Sequence, residues 1–323
     1  MTQRSKIRTA LRWLPGVIVF PALVVVILHY GSIEKFGELL RSARPEWLVP
    51  ALAAQFATYG FAALSWHFVL QRAGEARPFR TLFRLGVAKL YTDQAVPTGG
   101  ISGSVLVVKA LERRGVPNHV AMAALLVGMV SFYGADVVAA AACLALLWLH
   151  DEASGALVAL VTVFVLIEVA IPSSVLWARV RAKGMVLPNW VKRLPGVEAL
   201  FGAVAKAPND LLRDPFLIGV TSACQLAIIG LDALTLWMTC FAIGVPIDLW
   251  VAFSAFAVGG IVAMIAPSPL GLGTFTAGTT GMLALLGMPM EAALSATVLL
   301  RGLTFWLPML PGVWIAHHEL NRL

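Results

Sequence analysis

Six ionisable side chains, Lys89, Asp93, Asp136, Glu168, Asp232 and Arg301, sit within or against long apolar runs of this sequence. At membrane depth each costs roughly 2.5–3.5 kcal/mol on insertion scales, so each is a candidate for chemistry rather than decoration. Lys89 and Asp93 are one helical turn apart and can neutralise each other as an i,i+4 pair. Asp136 and Arg301 lie in corresponding spans of two similar halves, and the expectation is that both reach one central cavity, lined by Asp93, Asp136 and Arg301, with Asp232 a further candidate for headgroup binding. A purely structural ion pair is the simpler reading of each couple, and both readings stay open here. Carboxylates outnumber cations at depth, which suits a cationic or zwitterionic headgroup if they remain ionised.

Two Pro/Gly elbows accompany these charges. Pro97-Thr98-Gly99-Gly100-Ile101-Ser102-Gly103-Ser104 lines up with Pro267-Ser268-Pro269-Leu270-Gly271-Leu272-Gly273-Thr274, and Gly115-Val116-Pro117 with Gly287-Met288-Pro289. Pro97, Gly99, Gly100 and Gly103, and likewise Pro267, Pro269, Gly271 and Gly273, are expected to break helices inside apolar sequence. The helices that restart near Ser102 and Leu272 point free N–H groups at whatever fills the cavity, and a lipid phosphate fits there. Ser102 and Thr274 then either cap those helices or bind headgroup oxygens, capping being the simpler role.

The elements that must position these residues follow from composition. The chain has 323 residues, 59% hydrophobic and 13% charged, with a mean hydropathy of +0.84. A water-exposed surface cannot be built from that proportion of charge. Apolar runs at 13–30, 47–70, 120–149, 156–178, 215–243 and 291–316 approach or exceed the roughly 20 residues needed to cross a bilayer. The shorter runs, 82–97 with 101–111 and 250–266 with 270–287, form two re-entrant hairpins, because broken backbone at membrane depth must be covered by protein or water. The expected fold is all-α: a polytopic integral membrane protein, a single membrane domain over 1–323 with about six full spans and two re-entrant helical hairpins. Its first repeat is 47–149 (hairpin about 82–111), its second 215–316 (hairpin about 250–287), and 179–213 is a basic cytoplasmic connector. Basic residues flank alternate runs, which puts the two hairpins on opposite sides as an inverted repeat, a transporter signature. Loop 31–46 fits this alternation least, since Lys35, Arg41 and Arg44 place positive charge on the outer side.

The net charge of +7 reads as topology determinants facing anionic lipid, with no aromatic interleaving for nucleic acid. Cys143, Cys224 and Cys240 sit in apolar runs without metal spacing, no His pair has ligand spacing, and no hydrolase, P-loop or dinucleotide motif occurs. No metal, cofactor or catalytic residue is expected.

Pro97-Thr98-Gly99-Gly100-Ile101-Ser102-Gly103 with Arg113-Arg114-Gly115-Val116, and Pro269-Leu270-Gly271-Leu272-Gly273-Thr274-Phe275 with Leu300-Arg301-Gly302 and Phe305-Trp306-Leu307-Pro308, resemble the lysylphosphatidylglycerol synthase transmembrane-region (flippase-like) family. The resemblance spans essentially the whole chain. It implies translocation of an anionic or aminoacylated phospholipid, or another polar lipid, without the soluble aminoacyl-transferase domain that synthesises it. The sequence departs from the family at Thr276, where an acidic residue is frequent, and at Leu270, where a second glycine is. The expected protein is a multi-pass component of a bacterial inner membrane with both termini cytoplasmic, moving a polar-headgroup lipid between leaflets. Two other readings remain: a non-catalytic membrane subunit that positions a lipid synthase or glycosyltransferase, and a membrane-embedded lipid-modifying enzyme. Beyond membrane lipid, the partners to test for are a second copy in a homodimer and a membrane-bound synthase.

Overall fold

The computed structural model describes residue 38 and residues 41–95, 101–181, 209–266 and 272–321. The 13–30 run, both elbows (Pro97, Gly99, Gly100, Pro267, Pro269, Gly271) and most of the 179–213 connector lie outside the described residues, as do the side chains of Asp93 and Ser102. The principal elements are α1 (Pro45–Arg72), α2 (Phe79–Ala95), α3 (Ile101–Glu112), α4 (Asn118–Leu149), α5 (Gly155–Arg181) and the short α6 (Asn209–Leu212). Then follow α7 (Pro215–Ala242), α8 (Leu249–Ile265), α9 (Leu272–Leu285), α10 (Met290–Arg301), a π-helical turn (Gly302–Trp306) and α11 (Leu307–Asn321). Every regular element among the described residues is helical, and five stretches are long and apolar enough to cross a membrane: α1, α4, α5, α7 and the α10–α11 run. The protein is therefore an all-α polytopic membrane protein.

Four successive elements match four others in length. α1 and α7 have 28 residues each and α2 and α8 have 17. α3 and α9 have 12 and 14, and α4, with 32, answers the continuous run 290–321. The turns match bond for bond. After α1, Gly74 N–H donates to Gln71 O and Glu75 N–H to Leu70 O; after α7, Gly244 donates to Phe241 O and Val245 to Cys240 O. Both are Schellman closures, and their glycines sit at φ +75° and +86°, the left-handed region where a side chain is disfavoured. The turns after α3 and α9 repeat in the same way, Val116 N–H on Leu111 O and Met288 N–H on Leu283 O.

Side-chain contacts fix how the units face. Arg77 Nη2 donates to Arg114 O at 3.1 Å, so the turns entering α2 and leaving α3 lie together. That mouth adjoins the start of α4. At the other end of α4, the His150 ring stacks on Trp250 at 3.9 Å, bringing in the first turn of α8. The two hairpins thus open toward opposite ends of α4. At 17 residues, α2 and α8 reach only ~25 Å, short of a ~30 Å hydrocarbon layer.

The α8–α9 pair is held at a glycine crossing. A Cβ placed on Gly259 would stand 2.0 Å from Thr279 Oγ1 and 3.2 Å from Phe275 O, and one on Gly278 3.1 Å from Gly259 Cα. Gly259→Leu is expected to force these arms apart and destabilise the fold by about 1–3 kcal/mol, read as a lower thermal midpoint in detergent.

α1 and α7 run antiparallel along their whole length and join the halves. Arg44 N–H donates to Ala242 O at one end, and Arg72 Nε donates to Asp214 Oδ2 at 2.7 Å at the other. Asp214 also caps α7, its Oδ1 accepting from Phe216 and Leu217 N–H ahead of Pro215 in the first turn. The hydrogen bond from Arg72, then those cap bonds, hold the Asp214 carboxyl below its ordinary range. A depressed carboxylate contributes stability above its unfolded value near pH ~4 and loses it as pH falls through the folded value. Wild type and Asp214→Ala should therefore differ in thermal midpoint at neutral pH and converge in acid.

Candidate functional site

Two polar clusters occupy the middle of the bundle. In the first, Gln55 of α1 donates through Nε2 to Asp232 Oδ1 of α7 at 2.9 Å and lies 2.8 Å from Thr235 Oγ1. The Arg301 charge, at the end of α10, lies within electrostatic reach of Asp232. Its guanidinium carbon lies 4.8 Å from the Phe275 ring of α9 and 5.3 Å from Phe305, within cation–π range. Tyr59, buried within the electrostatic reach of Asp232, has a hydroxyl with no hydrogen-bond partner among the described residues. Four helices from both halves therefore converge on an acid, a base and an open hydroxyl. Gln55 and Asp232 each lie ten residues from the same end of the bundle, ~15 Å, close to the middle of a bilayer.

Local sequence explains why the cluster sits here. α1 carries Gln55-Phe56-Ala57-Thr58-Tyr59-Gly60-Phe61-Ala62-Ala63-Leu64, and α7 carries Gln225-Leu226-Ala227-Ile228-Ile229-Gly230-Leu231-Asp232-Ala233-Leu234. The glutamine, alanines, glycine and leucine recur at one spacing. The antiparallel register of α1 and α7 then puts the local two-fold near Thr58 and Ile228, about one turn from the Gln55–Asp232 contact. Asp232 answers Ala62 in the other half, so the symmetry is broken where the charge sits.

In the second cluster Asp136 and Tyr133 of α4 lie within electrostatic reach of Glu168 on α5. Asp136 and Arg301 thus fall in different clusters, and Arg301 lies instead within electrostatic reach of Asp232. Aligning Gly115 with Gly287 makes Met129 the counterpart of Arg301 and Pro308 that of Asp136, two helical turns apart. Lys89 is half-buried on α2, Ser104 is buried on α3 and Thr274 is half-buried on α9; Gly103 and Gly273 lie within α3 and α9. Sequence reasoning missed Gln55, Thr235 and Phe275, though the repeated glutamine motif was a usable signal for the first.

A protein-family model, described as lysylphosphatidylglycerol synthase TM region, matches residues 13–312. The chain belongs to the lysylphosphatidylglycerol synthase transmembrane-region family. No curated protein sequence matches it. As a member of that family it is a multi-pass membrane protein tied to lipid handling, and both polar clusters lie within the matched region.

Proposed function

We propose that this protein carries a polar-headgroup lipid between the leaflets of a bacterial inner membrane, with the lipid left chemically unchanged. The observation that carries the reading is the Gln55–Asp232–Arg301 cluster at mid-depth between the two halves. A guanidinium offers donors to a phosphate, a carboxylate accepts from an ammonium group, and the Tyr59 hydroxyl adds a neutral partner. An anionic or aminoacylated phospholipid presents those groups within one headgroup. Acyl chains remain in the bilayer while the headgroup crosses between hairpins that open toward opposite faces, the arrangement of alternating-access carriers.

Purified protein reconstituted into vesicles tests this with headgroup-labelled lipids, anionic, zwitterionic and lysyl-modified in turn. Faster loss of inner-leaflet label protection than in protein-free vesicles is the expected result. No acceleration with any of the three headgroups would refute the transport reading, and a new lipid species on chromatography would replace it with an enzymatic one.

A further inference from the structure

The buried stripe of α5 is Val161, Phe164 and Glu168, at successive turns, whereas Val163, Leu166 and Val169 on its other faces are 48%, 64% and 49% exposed. Val161 and Phe164 pack on Ala140 of α4 and on Ile261 of α8, with Met264 and Ile265 beside them. α4 and α5 are antiparallel across the 150–154 connection, so the register that sets Ala140 against Phe164 sets Asp136 against Glu168. Each of the two lies thirteen residues from that connection, ~20 Å down its helix. Glu168 is 0% exposed, and neither carboxylate oxygen has a hydrogen-bond partner among the described residues.

We propose that Asp136 and Glu168 form a proton-binding carboxyl pair in the bilayer core, holding one proton between them at neutral pH. Two like charges facing each other in a medium of low dielectric cannot both ionise without a large penalty. A shared proton removes one charge and turns one carboxyl into a donor to the other, which satisfies oxygens that otherwise have no partner. The surroundings supply no competing cation among the described residues. Tyr133 is the other titratable group within reach of both acids, and α8 carries no ionisable side chain. α7 meets α4 nearby through the Ser131–Thr221 hydroxyl pair at 2.6 Å, and its Asp232 is engaged by Gln55 and Arg301. Loading and release exchange this proton with water, with no other bond made or broken. The site stands apart from the lipid-translocation reading, because proton occupancy is measurable without lipid movement.

Infrared spectroscopy of the full-length protein in lipid discs, titrated from acid to alkaline pH, reads the site directly. Wild type should retain at neutral pH a carboxylic-acid C=O band, sensitive to deuterium exchange, that loses one carboxyl's intensity in Glu168→Gln plus Asp136→Asn. Each single variant should shift it. Gln and Asn keep the shape of a protonated acid, and circular dichroism checks the fold; if the double variant does not fold, the better-folded single variant serves as the comparison. Identical neutral-pH spectra for wild type and variant would overturn the proposal. So would loss of the band on adding sodium at fixed pH, which would make this a metal-cation site.

Discussion

Asp232→Asn is expected to leave the protein folded and slow lipid exchange roughly tenfold or more, equivalent to ~1.4 kcal/mol or more of barrier. The asparagine keeps the volume and an oxygen that accepts from Gln55 Nε2, but it removes the charge facing Arg301. Asp232→Ala is a harsher change. It strips one of the two acceptors from Gln55 Nε2, leaving Thr235 Oγ1, and removes the charge that acts on Arg301, which should cost about 1–3 kcal/mol. Pairing Asp232→Leu with Arg301→Met should recover much of that stability, since apolar replacements of buried ion pairs are often neutral. It should not recover exchange. Thermal midpoints in detergent and exchange rates in vesicles, taken together, separate a structural pair from a headgroup site. Unchanged exchange in folded Asp232→Asn would remove this cluster from the transport path.

The sequence carried the fold further than the site, for a physical reason. Helix ends here are set by local chemistry: Gly74, Gly115, Gly244 and Gly287 close helices with left-handed glycines, and Pro117 and Pro289 precede the next ones. Such signals repeat within a few residues and read directly. Contacts between helices depend on register over much longer separations. Asp136 and Arg301 share equivalent spans, yet an offset of seven residues puts them two turns apart and in different clusters. Glu168 stood out as an ionisable residue in apolar sequence, while its partner emerges only once α4 and α5 are folded back on each other. The widened turn at Gly302–Trp306 is a third case. Leu307 N–H donates to Gly302 O, and Pro308, lacking an N–H, cannot continue the ordinary ladder, so Arg301 sits where backbone geometry changes.

Opposite orientation of the hairpins makes an all-or-none prediction. The mouth of the first hairpin gathers Arg72, Arg77, Arg113, Arg114 and Arg213, whereas that of the second is flanked by Asp151, Glu152, Asp248 and Glu291. Basic loops are retained on the cytoplasmic side, so the first mouth should face the cytoplasm and the second the outside. Cys143, Cys224 and Cys240 are free and buried, which keeps the background of thiol labelling low and permits their replacement by Ala or Ser. In that background Arg113→Cys should react with an impermeant maleimide only in inverted vesicles, and Asp248→Cys only in intact cells. Ser154→Cys, in the connection after α4, should label with Asp248→Cys, because the His150–Trp250 stack ties those two loops to one face. Labelling of Arg113→Cys and Asp248→Cys from the same side would mean that the chain between them, which holds α4, α5 and α7, crosses the bilayer an even number of times, and the opposite orientation of the two hairpins would fall with it.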